Sequence, residues 1–443
     1  MFLKPFSISI VVTSLLLPLT SAYTADTIHE SESLPEPLTL ELALSLIDQQ
    51  HPDLRYADAD LKSADSNLQQ SLSNNDLTIS LKADARWIEP SVLATNQSNE
   101  DHRLGFLVNK TLYDFGRSSA QIDSASQQVL SKNLRYINVR QSHYLHVMKS
   151  YFDVVLADLQ FYRYNEEMAV AYIQYDRMQT RQKLGQHTET DVAEKEVEYQ
   201  RARRLRTYSQ NQQRVTRSIL AQALNKPNNL PATVTKPELD IISRKLPEIE
   251  VLQQKVNDNN PLLGALRAQL AAAKKNVQLA RAGSSPVLTG GFEAFNYERE
   301  TSSTNKWQAN VTLDVPLWSG GRVDAAVAKE KAIEYKIEAQ LAQQELAIQQ
   351  QVLELWLGIE TLKIKHDEVL AGMNFSELSL DKSRALYELE FTSDLGYSMV
   401  KFSEAERKVV QTNFDIALAW AQLDALTGSL LNKSIVNETS TNK

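Results

Sequence analysis

From Arg117 to Leu184 the chain runs for 68 residues without a proline or a glycine. As a single helix that stretch spans roughly 100 Å, several times the width of a small domain. A globule cannot enclose such an element, so the chain has to build something elongated around it. The apolar positions Leu130, Leu134, Ile137, Tyr144, Met148, Tyr151 and Val155 advance by alternating fours and threes, with Gln141 as the polar break. That spacing is a 3.5-residue coiled-coil seam. The same seam recurs at Ile348, Val352, Leu355, Ile359, Leu362, Val369 and Met373, with His366 as its break. Long helices are therefore expected over 117–184 and 321–389. Short turns at Gly185–Thr188 and Glu390–Ser393 reverse them into return helices over 189–224 and 394–426.

The chain is written twice. His51-Pro52-Asp53-Leu54 opens a helical stretch in one half, and Asn260-Pro261-Leu262-Leu263 does so in the other. Leu112-Tyr113-Asp114-Phe115-Gly116-Arg117 is answered by Leu317-Trp318-Ser319-Gly320-Gly321-Arg322. Repetition of element order points to duplication, with halves over 38–229 and 246–431. A Pro-bearing connector occupies 230–245, residues 23–37 form a flexible lead-in, and 432–443 form a polar tail. Gly116-Arg117 and Gly321-Arg322 read as strand-to-helix turns. Gly320-Gly321-Arg322 lacks the spacing and the Lys-Ser/Thr end of a phosphate loop.

Each half carries a pair of alternating stretches, expected as strands at 77–88 and 103–113, then 287–297 and 307–316. Leu77, Ile79, Leu81 and Trp87 point one way, while Thr78, Ser80, Lys82, Asp84 and Arg86 point the other. Trp307, Val311 and Leu313 repeat the pattern against Gln308, Asn310, Thr312 and Asp314. The length suits tilted strands crossing a bilayer, and Trp87 and Trp307 stand where an interfacial aromatic girdle belongs. The alternative is a pair of amphipathic hairpins on a soluble core, which the mixed charges of the polar face argue against. Four spanning strands cannot close a barrel, and an open edge in lipid is prohibitive. Several chains must then share one barrel.

Lys4 precedes an apolar run from Phe6 to Leu19, closed by Thr20-Ser21-Ala22. This reads as a secretory signal peptide over 1–22 rather than an anchor, since the run is short for a span. The chain contains no cysteine, which excludes thiol catalysis, Cys-ligated metals and disulfides. A formal net charge of −8 argues against a nucleic-acid surface. No serine triad, carboxylate pair or nucleotide motif stands out, so no enzyme, cofactor or metal is expected. His143 and His146 are spaced to share an ion, but without a completing carboxylate they read as surface or seam positions. Arg201, Arg203, Arg204 and Arg206 read as a solvated helix face, with a protein contact as the minority reading.

The duplicated order, the Gly-Arg start of each long helix and the stretch from Leu184 to Val192 (Leu-Gly-Gln-His-Thr-Glu-Thr-Asp-Val) resemble the TolC-like outer membrane efflux protein family. The resemblance covers nearly the whole mature chain. It implies a fold that is mainly α with a small β part: coiled-coil helical hairpins plus four transmembrane strands, assembled as a homotrimeric α-barrel and β-barrel. It implies a passive exit duct for type I secretion or tripartite efflux, docked onto a periplasmic adaptor and an inner-membrane ABC or proton-driven transporter. The barrel would sit in outer membrane lipid. The periplasmic aperture and adaptor contacts would then fall at Leu184, Gly185, Thr190, Asp191 and Val192 in one tip. In the other they would fall at Leu389, Glu390, Phe391, Thr392, Ser393 and Asp394. The second tip departs from the pattern, with Gly396 where the first has Asp191. The competing reading is a periplasmic coiled-coil adaptor or spacer, which needs only one hairpin and no two-faced strands.

Overall fold

The computed structural model describes residues 34–47, 50–239, 243–299, 304–389 and 394–431. The expected leader, the polar tail, most of the lead-in and the second turn at Glu390, Phe391, Thr392 and Ser393 lie outside the described residues. The elements run α1 (Leu40–Ser45), α2 (Pro52–Ser73), β1 (Thr78–Asp84), β2 (Arg103–Tyr113), α3 (Arg117–Lys183), α4 (Glu189–Ala223) and α5 (Ile249–Asn259). They continue with α6 (Pro261–Arg281), β3 (Val287–Tyr297), β4 (Trp307–Asp314), α7 (Arg322–Glu388) and α8 (Leu395–Leu426). The sequence helix–strand–strand–long helix–return helix thus occurs twice. The fold is mainly α with one small antiparallel sheet.

The caps explain where the helices begin. Pro52 and Pro261 occupy the first helical turn, where a missing N–H costs nothing. Asn260 Oδ1 accepts from the Leu262 and Leu263 amides at 3.0 and 3.1 Å, and His51 Nδ1 accepts from the Asp53 amide at 3.3 Å. Both long helices start from a left-handed residue, Gly116 at φ 90° and Gly321 at φ 78°. The residue before each is left-handed too: Gly320 in one half, Phe115 in the other. Two such residues in a row turn the chain out of the sheet and onto the helix axis.

Helices α3 and α7 run unbroken, and each of their partner positions is filled in two pieces. Both α2 and α4 pack on α3, while α6 and α8 pack on α3 and α7 alike. At the junction of α8 and α6, Asn260 Nδ2 donates to the Leu426 carbonyl at 3.0 Å. Small residues set the approach of α3 to α6. Ala265, Ala268, Ala272 and Ala273 are buried, and Ser131 Oγ donates to the Ala265 carbonyl at 2.8 Å. The expected polar breaks of the two seams, Gln141 and His366, are both buried.

One core cluster joins Val147, Tyr151, Phe152 and Val154 of α3 to Leu220 and Leu224 at the end of α4 and to Phe414 and Ala417 of α8. Phe152 stacks on Phe414 with centroids 4.2 Å apart. Leu34, from the stretch expected to be a flexible lead-in, is buried here. Leu38 pairs with Val234 of the connector as a parallel bridge. The Tyr151 hydroxyl faces the Leu38 and Thr235 carbonyls at 2.9 and 2.6 Å, which ties the connector to α3. A second cluster gathers Leu252 and Val256 of α5 with Ile348, Val352 and Ile359 of α7 and Trp420 of α8. Arg244 lies over the Trp420 ring at 4.0 Å and grips Asp424 with two hydrogen bonds of 2.9 and 2.6 Å.

The sheet order is β1-β2-β3-β4, with every pairing antiparallel. The first strand is shorter than its alternation suggests. Its ladder ends at the Asp84–Arg103 pair, and pairing resumes in the same register at Trp87–Glu100. The last strand stops at Asp314, two residues before Pro316, which has no N–H to contribute.

Two substitutions test this packing. Tyr151→Phe removes a buried hydroxyl and leaves two carbonyls with less than full hydrogen bonding, so a loss of about 1–3 kcal/mol is expected. Thermal unfolding of the purified protein in detergent reads it, and an unchanged midpoint would show that the hydroxyl does not hold the connector. Gly105→Ala tests a close approach in the sheet. A Cβ there would stand 2.3 Å from Phe295 Cδ1 and 2.4 Å from the Ala294 carbonyl oxygen. Overpacking of about 1–3 kcal/mol is expected from calorimetry of the variant; full native stability would mean the ring moves aside freely.

Candidate functional site

Two regions carry the candidate residues: the sheet at one end of the helices and the hairpin tips at the other. In the sheet, paired residues point to the same side. The register sets Ile79 beside Val108, Leu81 beside Phe106, Val108 beside Phe292 and Gly290 beside Val311. It also sets Ala294 beside Trp307 and Leu288 beside Leu313. The result is an apolar face continuous across all four strands. Leu77, Ile79, Leu81, Trp87, Trp307, Val311 and Leu313 are all exposed on the single chain. A face of this extent needs a cover other than water.

The opposite face is polar. Asp84 accepts from Arg103 Nε at 2.5 Å, Arg86 pairs with Asp101, and Gln308 pairs with Glu293. Phe295 interrupts it. Its ring lies against Gly105, under the Arg103 guanidinium at 5.4 Å from the centroid, and is almost fully buried. Alternation alone did not reveal this, because a phenylalanine on the polar side reads as noise. The signal available was the glycine that leaves the ring its place on the neighbouring strand.

At the first tip, α3 ends at Lys183, Leu184 is its C-cap, and Gly185 adopts φ 74°. The Gln186 amide reaches back to the Arg181 carbonyl at 3.0 Å and the Gly185 amide to Gln182 at 2.9 Å, the paired bonds of a Schellman cap. Thr188 and Asp191 then form a reciprocal capping box for α4. The Asp191 carboxylate accepts from the Thr188 amide at 2.9 Å and lies 3.4 Å from His187 Nδ1. Hydrogen bonds with Thr188, then His187, hold its pKa below the ordinary carboxylate range. Leu184, Gly185 and Thr190 are exposed, while Val192 is half-buried.

The second tip is built differently. Leu389 ends α7 and is exposed, and Asp394 caps α8 by accepting from the Tyr397 amide at 3.3 Å. Gly396, which replaces the acid of the first tip, sits where a Cβ would stand 2.7 Å from Val170 Cγ2 of α3. The acid's place is taken by a close crossing of α8 over α3.

Above the tips, that crossing is polar. Ser403 of α8 donates to Glu166 of α3 at 2.5 Å. Glu404 of α8 meets Arg163 of α3 at 3.0 Å and Arg407 of its own helix at 3.0 Å. Burial alone would raise the Glu404 carboxyl, but the Arg407 hydrogen bonds and the charges of Arg407 and Arg163 win and hold it below its ordinary value. Sequence spacing missed this cluster, since charges on a long helix read as solvated. Of the arginine group, Arg201, Arg203 and Arg204 are exposed. Arg206 instead donates to Asn165 at 3.0 Å and covers the Phe161 ring.

Among the described residues, two groups could hold a metal ion: His51, Asp53 and His143, and Glu100, His102 and Glu298. His143 is buried, whereas its sequence neighbour His146 lies outside both groups. No described helix is long and apolar enough to cross a membrane.

Comparison with known proteins places these features. A family model described as outer membrane efflux protein matches residues 43–226 and 252–368, more than half of the chain. Outer membrane protein TolC of Vibrio cholerae serotype O1 is 26% identical over 251 residues, covering 53% of this chain and 55% of the relative. The match thus spans about half the length of that curated protein. The crystal structure of VceC from Vibrio cholerae superposes with a TM-score of 0.70 at 15% identity, covering 88% of this chain and 96% of that one. The CmeC outer membrane channel of Campylobacter jejuni superposes with a TM-score of 0.74 at 13% identity, covering 90% and 89%. These likenesses establish the fold. The family match establishes the rest: the chain belongs to the outer membrane efflux protein family and is a protein of the outer membrane.

Proposed function

We propose that three copies of this chain form a passive exit duct, with a 12-stranded barrel in the outer membrane and a helical tunnel below it. The observation that carries the reading is the four-stranded sheet, apolar across one face and polar across the other, with β1 and β4 at its edges. Lipid cannot satisfy the backbone groups of those edges, so the strands of one copy have to pair with those of the next. Twelve strands about 4.8 Å apart and tilted about 40° enclose a barrel roughly 24 Å across. The apolar face, with Trp87 and Trp307, meets lipid, and the face carrying Lys82, Asp84, Arg103 and Glu293 lines water. The duct needs no chemistry of its own. Energy comes from an inner-membrane transporter, of the ABC or the proton-driven class, and a periplasmic adaptor bridges the two. Type I secretion and tripartite efflux both use this arrangement.

The hairpin tips form the aperture and the adaptor contact in this reading. Leu184 and Leu389 offer exposed apolar contacts at the ends of α3 and α7. The Asp191 carboxylate is already committed to the Thr188 cap, and Asp394 caps the opposite helix. Neither is a free acid at the mouth. The Arg163–Glu404–Arg407 cluster supports a second part of the mechanism, because it joins the α3–α4 hairpin to the α7–α8 hairpin. An adaptor opens the tunnel only as far as it prefers the arrangement in which that crossing has shifted.

Cross-linking of the protein extracted from outer membranes, run beside an unheated gel, tests the assembly. A membrane-embedded species of three chains is expected; a soluble monomer or dimer would remove the barrel and leave the adaptor or spacer reading. Glu404→Gln tests the crossing. Breaking its charge-assisted contacts is expected to weaken the closed arrangement by about 1–2 kcal/mol and raise conductance in planar bilayers. The wild-type contact is complete above the ordinary carboxylate range and is lost as pH falls through the depressed pKa of Glu404. Conductance of the wild type should therefore rise only in acid, and the variant should lack that step. Equal conductance of the two proteins at neutral pH would exclude Glu404 from gating.

A further inference from the structure

The junction where α4 ends and α2 begins holds a group of side chains that the duct does not use. His51 caps α2, Asp53 lies in its first turn, and His143 projects from α3 beside the end of α4. Each offers one ligand atom, and the three atoms lie within 4.8 Å of one another. The His143 side chain is 4% exposed, and its Nε2 is fully buried without a hydrogen-bond partner. Burial lowers the His143 pKa, with the Ala223 backbone acting against it, so the neutral ring is favoured. A neutral imidazole carries a lone pair on one nitrogen, and a buried one without a hydrogen bond is suited to a metal ion. The His51 ring stands 4.2 Å from the His143 ring, centroid to centroid, and its Nδ1 lies 3.7 Å from Asp53 Oδ2.

We infer that His51, Asp53 and His143 bind a divalent transition-metal ion of the zinc class, leaving one coordination position open to water. Two imidazoles and a carboxylate suit zinc and its neighbours, whereas calcium and magnesium require oxygen ligands. Bonds of 2.0–2.2 Å place tetrahedral ligands about 3.4 Å apart, so small rotations of His51 and of the exposed Asp53 close the group. The second repeat supports the assignment by contrast. Asn260 stands where His51 does, caps α6, and reaches the Leu426 carbonyl across the equivalent junction at 3.0 Å. An amide bridges that junction directly. At the first junction the two imidazoles and the carboxylate bridge through an ion, with His51 Nδ1 giving up its 3.3 Å bond from the Asp53 amide to take it, which pins the start of α2 to α3 beside the end of α4.

The test uses the full-length protein in detergent, stripped with chelator and titrated with zinc against a chromophoric competitor. His102→Gln is introduced throughout to silence the Glu100, His102 and Glu298 group. One ion per chain is expected, with affinity at least tenfold lower in His143→Gln and in His51→Asn. The second variant copies the capping residue of the other repeat, so it keeps the helix start while losing the imidazole. Cobalt in place of zinc should give tetrahedral absorption bands that both variants lose. Far-UV circular dichroism verifies that each is folded. Failure of the folded parent to bind zinc, or equal affinity in folded His51→Asn, would overturn the site.

Discussion

Backbone hydrogen bonding at the edges of one small sheet governs the rest of this molecule. Four strands order themselves through three ladders, and the outer sides of β1 and β4 stay open. In water such an edge is a liability; in hydrocarbon it is untenable. The apolar face demands a cover other than water, and the edges demand other strands. Both demands are met together by repeating the chain around an axis, which is why the proposed assembly follows from the sheet rather than from the helices. In the proposed assembly the long hairpins inherit that symmetry and extend below the barrel.

The two repeats solve shared problems with different residues. Both need a left-handed pair of residues to leave the sheet, and one uses Gly320 and Gly321 while the other accepts Phe115 before Gly116. A non-glycine residue in that region carries strain of about 1 kcal/mol or more, and the Phe115 ring packs edge-on to Tyr113 at 4.7 Å. Both return helices need an N-cap, which Thr188 supplies through a box with Asp191 and Asp394 supplies alone. Tyr397 stands where the second cap would need an acid, and the bare backbone of Gly396 beside it admits Val170. One tip is thus capped more fully, and the other packs more closely onto its neighbour.

Much of the architecture could be read because its signals are local and periodic. A helix of 67 residues needs an unbroken run of compatible residues, and α3 has one without glycine or proline. Alternation marked the strands, and β3 emerged despite Gly290 and Gly291. What could not be read is what touches what. Gln141 and His366 looked like flaws in an apolar seam, yet both are buried. His143 and His146 invited pairing by spacing alone, whereas the structure sets His143 against His51, 92 residues earlier in the chain. The meeting of Glu404 with Arg163 left no mark in the sequence, because nothing in a helical period tells which other helix will lie alongside.

By itself, the sequence determined the element types, their doubling, the two faces of the strands and the starts of the long helices. Those properties depend on backbone geometry and on residues within a few positions of each other. Only the tertiary structure decided that α8 crosses α3 at Gly396, that Phe295 lies on Gly105 within a polar face, and that a connector carbonyl meets Tyr151. It also decided that an imidazole from α3 stands beside the cap of α2. Each of these joins residues far apart in the chain, and packing selects such partners through shape and unmet hydrogen bonds, neither of which leaves a periodic trace.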